Sequence, residues 1–134
     1  MAKYLLIKHY RGGKGMVNDV PMSQWSPAEV EAHVAYMRDF ADRLRETGEF
    51  VGEQALDEGG LWVRSDGDGR PPVTDESFAD KVDHVAGWMV IDVASRERAV
   101  ELAGELSAAP GYGGEPVGEW LEMRPAYGAE GHAS

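Results

Sequence analysis

Of the four histidines in the chain, His84 stands where proton transfer is best served. It opens an alternating apolar segment, shares strand parity with Trp88, and follows Asp75, Asp80 and Asp83 closely. Imidazole changes charge near neutral pH, and a neighbouring carboxylate fixes its tautomer and poises it as a general base. Asp75 is the candidate orienter or partner acid. A plain Asx turn ahead of Ser77 and Phe78 would account for it equally well. His9 ends the first apolar segment where a loop begins, which makes it a substrate-binding candidate. Trp88 offers an aromatic wall. Arg124 offers a bidentate fork for a carboxylate, or a partner for Glu122 or Glu119. His33 flanks the apolar stripe of a helix and reads as a satisfied, half-buried side chain, while His132 lies in the tail and is set aside.

Other chemistry is poorly supported by spacing. Gly12-Gly13-Lys14-Gly15 lacks the Walker interval and the Ser/Thr that would hold magnesium. Asp66-Gly67-Asp68 lacks the Glu that closes a calcium loop. The chain has no cysteine, so disulfides, thiolates and zinc ribbons drop out together. The histidines are not spaced as ligands on one element. Neither a metal nor a cofactor is expected.

The elements that must position these residues follow from periodicity. Lys3 to Tyr10 reads as a strand and Arg11 to Trp25 as a long loop. Ser26, Pro27 and Glu29 form a capping box at a helix start, and Gly48 is its natural end. Val30, Val34, Met37, Ala41 and Leu44 make the helix's apolar stripe. Glu49 to Leu56 reads as the second strand, followed by a hairpin-like excursion through Leu61 to Arg64 and a glycine- and proline-rich turn. His84 to Val93 is the clearest strand. Val85, Met89, Ile91 and Val93 share one side, and Ala86, Trp88 and Val90 the other, so both sides need cover. Ser95 caps a second helix with Ala99, Leu102, Ala103 and Leu106 as its stripe. A last strand is expected near Val117 to Arg124. Residues 1–125 read as one domain, and 126–134 as a flexible tail.

The order is β-α-β, an insertion, then β-α-β, the split βαβ order of a ferredoxin-like α+β sandwich. Two helices cover only one side of a four-stranded sheet. The other side, with Trp88, Val90 and Trp120, carries too much apolar surface to stay wet, so a homodimer through that open face is expected. The chain carries 24 acidic against 13 basic residues, a net charge of −11, which disfavours nucleic acid and anionic membranes as partners. The opening run Tyr4 to Ile7 is too short for a signal peptide, and no stretch approaches the roughly 18 apolar residues of a membrane span. A cytoplasmic protein is expected.

Val73-Thr74-Asp75-Glu76-Ser77-Phe78-Ala79-Asp80, leading into Gly87-Trp88, resembles the YCII-related family, in its branch named for an Asp-Gly-Pro-Phe motif. Lys3-Tyr4-Leu5-Leu6-Ile7 and Leu121-Glu122-Met123-Arg124-Pro125 are similar to the two ends of that family. Glu76-Ser77 replaces the motif's Gly-Pro, and His9 stands where an aromatic residue is usual. Counting back from Gly48, Met37 occupies the place of a helical histidine common in the family. The resemblance implies a dimeric α+β barrel with a cavity between sheet and loops. It also implies a cofactor-free isomerase or lyase acting on a small aromatic or oxo-acid, or else a non-catalytic small-molecule-binding or regulatory module of the sigma-factor-associated type. On the first reading His84 is base, Asp75 its partner, and His9, Trp88 and Arg124 bind substrate.

Overall fold

Helix α1 (Pro27–Thr47) starts as its sequence predicts, the Ser26 hydroxyl accepting from the Glu29 amide while the Glu29 carboxylate accepts from the Ser26 amide. It ends at Gly48, whose φ of 80° is the left-handed value that favours glycine. The computed structural model describes residues 1–76 and 84–127. The Phe78, Asp80 and Asp83 positions of the motif, His132, and all of the tail beyond residue 127 lie outside them.

The strands are β1 (Ala2–His9), β2 (Phe50–Ala55), β3 (Trp62–Arg64), β4 (Val73–Asp75), β5 (Val85–Val93) and β6 (Glu122–Pro125), with α2 (Arg96–Ser107) between the last two. Four of them form one antiparallel sheet in the order β2-β5-β1-β6. Strand β5 thus lies between β1 and β2, the ferredoxin-like α+β arrangement that the element order predicts. Among the described residues, strands β3 and β4 pair only with each other, so the insertion forms a two-stranded excursion.

Cross-strand register sorts the side chains. Tyr4 sits opposite Ile91 and Leu6 opposite Met89, and all four are buried beneath the helices with Phe40, Leu44, Leu102 and Leu106. Removing the side chain of Leu6 or Leu102, both fully buried, would cost about 2–5 kcal/mol. The opposite side presents Leu5, Ile7 and Val90 half-buried, with Trp88 37% exposed. A glutamate–arginine pair ties the layers together: Arg98 at the start of α2 donates to Glu49 at 2.9 and 3.0 Å.

Two local expectations are corrected. The last strand begins at Glu122, not near Val117, because Gly118 adopts a φ of +63° that breaks the extended chain. Residues 117–119 instead bond to the long loop and to the end of α2: the Asn18 amide donates to the Val117 carbonyl, and the Gly118 amide to that of Ser107. On α1, Val34 is exposed while Phe40 is fully buried. The first turns of the helix meet the turn around residues 110–114, not the sheet, as the Glu29 and His33 contacts there show.

Candidate functional site

The end of β1 carries a cavity of about 440 Å³. Lys8, His9 and Tyr10 lie on one side, His33 of α1 on another, with Glu119 and Val117 beside them. The 11–25 loop closes it with Asn18, Trp25 and their neighbours. This loop has no regular strand, yet it is well anchored. Asn18 Nδ2 donates to the carbonyls of Tyr112 and Glu115 at 3.0 and 3.1 Å, and Trp25 Nε1 donates to the Val20 carbonyl at 2.8 Å.

His33 is fixed on both sides. Its Nδ1 lies 2.9 Å from the Pro110 carbonyl oxygen, and its ring meets Trp25 edge-on with centroids 5.4 Å apart. A carbonyl only accepts, so Nδ1 carries the proton and Nε2 holds the lone pair of the neutral ring. Pro110 is held in turn by its neighbourhood, where the Gly113 amide donates to Glu29 at 2.6 Å. Hydrogen bonds from the Ser26 and Gly113 amides hold the Glu29 carboxyl below its ordinary range.

Lys8 takes a place that strand parity reserves for the core, on the same side as Tyr4 and Leu6. Its ammonium lies 3.4 Å from Glu119 Oε2, with the two side chains only 23% and 8% exposed. Its other contact is the Met37 sulfur, 3.9 Å away. Tyr10 donates its phenol to the Leu56 carbonyl at 2.6 Å. Burial, then the carboxylates of Glu58 and Asp57, push that phenol up, so it remains a donor through neutral pH.

The residues singled out from the sequence fall in three places. His9 lines the cavity, and its Nε2 lies 3.0 Å from Glu122 Oε1. Glu122 also faces Arg124 at 3.9 Å, so His9, Glu122 and Arg124 gather at the β6 edge of the open sheet face. Trp88 lies on that face opposite Ile7. His84 precedes β5, where its carbonyl accepts from the Tyr10 amide at 2.9 Å. Asp75 closes β4 opposite Trp62 on the excursion. Neither His84 nor Asp75 is among the residues lining the cavity.

The sequence model of the YCII-related domain matches residues 3–113. The chain belongs to the YCII-related domain family. No curated protein matches it. In this YCII-related domain the matched stretch includes Lys8, His9 and His33 and stops before Glu119, Glu122 and Arg124. Sequence reasoning did not single out Lys8, and it named Glu119 only as a partner for Arg124. The signal was present for Lys8, a charge at core parity two residues after Leu6. Glu119 had none, since its place depends on the turn at Gly118.

Proposed function

We propose that the cavity at the end of β1 binds a small organic molecule and that His33 moves a proton on it without a cofactor, as in an isomerase or lyase. The observation that carries this reading is the 2.9 Å contact between His33 Nδ1 and the Pro110 carbonyl, which leaves Nε2 as a base on the cavity lining. The half-buried Lys8–Glu119 pair supplies polar groups beside the apolar Met16, Trp25 and Val117 of the lining, a mixture that suits a small-molecule site. His84 ahead of β5 and Asp75 on the excursion are the competing proton-transfer candidates, and neither is among the residues lining the cavity.

The test is a thermal-shift screen of small aromatic and oxo compounds, followed by NMR of hydrogen–deuterium exchange at carbon in each hit. A ligand that binds only the folded protein raises the midpoint. His33→Ala should abolish exchange while the hit still binds. Exchange that survives in His33→Ala and is lost in His84→Ala or Asp75→Asn would move the chemistry to those residues. Binding with no exchange at all would make the domain a binding or regulatory module.

We further propose that the open face of the sheet, with Leu5, Ile7, Trp88 and Val90, pairs with a second copy of the chain. Support comes from the size of that apolar strip and from its charged border of Lys3, Asp92, Glu122 and Arg124. Asp92 Oδ1 is buried there with no hydrogen-bond partner among the described residues.

A further inference from the structure

Lys8 lines a second chamber as well as the His33 cavity. This chamber, of about 340 Å³, lies between the sheet and α1, and Leu6, Met37, Met89 and Leu106 give it an apolar wall. Glu53 and Ala55 of β2 stand at its other side. One lysine therefore separates a polar compartment holding a histidine from an apolar one of comparable size.

The charges at this junction restrict what it accepts. The Lys8 ammonium is already matched by Glu119, itself 8% exposed. Glu53 and Glu58, the remaining acids of the two chambers, are exposed and screened by solvent. A carboxylate brought to Lys8 would place two anions against one cation in a poorly solvated spot, and an amine would meet the ammonium itself. An ammonium has three N–H donors, however, and Glu119 and the Met37 sulfur engage two of them. An uncharged acceptor can take another without disturbing the pair.

We propose that the ligand is an uncharged carbonyl compound with an apolar flank, its oxygen accepting from Lys8 and its flank filling the chamber beneath Met37. This rests on the reading of the His33 cavity as the binding site. If His33 removes a proton from the carbon next to that carbonyl, the C–H pair passes toward the oxygen, where Lys8 stabilises the developing charge. The proton stays on Nε2 until it returns to carbon, so no oxidant or co-reactant is needed.

The test compares an uncharged aromatic ketone, butyrophenone, with the aromatic oxo-acid benzoylformate and the amine phenethylamine, by ligand-observed NMR titration of the full chain. The ketone should bind wild type at least tenfold more tightly than either charged probe. Lys8→Met and Met37→Trp, the second filling the chamber, should each weaken ketone binding by tenfold or more. Glu119→Gln should narrow the gap by strengthening benzoylformate binding, because Lys8 then lacks its counter-charge. Should Lys8→Met fail to fold by circular dichroism, Lys8→Gln and the Met37→Trp result carry the comparison. Equal or tighter binding of the acid or the amine in wild type overturns the proposal, as does an absence of ketone binding, or ketone binding indifferent to Met37→Trp. Carbon exchange separates this from the function proposed above: a ketone that binds wild type without exchange removes the role of His33 as base but leaves the chamber assignment standing.

Discussion

Glu49 is a buried acid, 9% exposed, and its carboxylate takes hydrogen bonds from Arg98 and from Thr47. The Arg98 bonds, outweighing the opposing effect of burial, hold its carboxyl below the ordinary value of 4.5. A carboxyl depressed in the folded state stabilises the fold fully above the unfolded value, and that stability disappears as pH falls through the lowered one. The same sign holds for Glu29, depressed chiefly by the Ser26 amide. Glu49→Gln should therefore cost about 1–3 kcal/mol at neutral pH and flatten the loss of stability below about pH 4.5. Urea midpoints measured from pH 3 to 7 check this, and a parallel decline in wild type and variant would refute it. At this scale the sequence was partly legible: the Ser26–Glu29 box is local and was readable, whereas Glu49 and Arg98 are 49 residues apart and meet only through the sheet.

The long loop illustrates the limits of local reading at the scale of elements. Its glycines and prolines announce a loop, and its length marks it as functional, but nothing in residues 11–25 says that Asn18 will bridge to Tyr112 and Glu115. That bridge needs the turn after α2, fixed by Pro110, Gly113 and Gly118. Asn18→Ala should cost about 1–2 kcal/mol and raise amide hydrogen exchange across residues 16–25 more than in α2. Uniform exchange rates would show that the loop is held by other contacts. Gly118→Ala should be worse than its volume suggests, since the φ of +63° is strained for alanine and the new Cβ would lie 2.8 Å from a Val17 methyl carbon. A loss of about 1–3 kcal/mol, read from thermal midpoints, is expected. Both helices were legible because each carries its period and an N-cap serine, and β5 because its alternation runs the length of the strand. The late strand was not, because its start is set by one backbone angle.

For the whole molecule, element order gave the ferredoxin-like sheet correctly, since a split βαβ order has few other ways to cover its apolar strands. The grouping of site residues was less legible. Parity places His84 with Trp88, but whether a histidine borders a cavity depends on loops that arrive from distant sequence. Assembly is the prediction that belongs here. If the open face is shared, Trp88→Glu would bury an unpaired charge, at a cost of several kcal/mol, and should convert a dimer into monomers at micromolar concentration. Sedimentation of both proteins decides it, and a wild-type monomer under those conditions would remove the shared face.

Strand β1 lies in the middle of the sheet, with Leu5 facing Val90 on one side and Arg124 on the other. Each of those rungs closes a loop of most of the chain, so the centre of the sheet forms only after large entropic closures. The α1 capping box and its helix need no such closure and can appear within microseconds. The molecule should therefore acquire helix early and close its sheet late, folding in the millisecond-to-second range typical of non-local topologies. During that interval the apolar edges of β1 and β5 are unpaired, so refolding yield should fall as protein concentration rises.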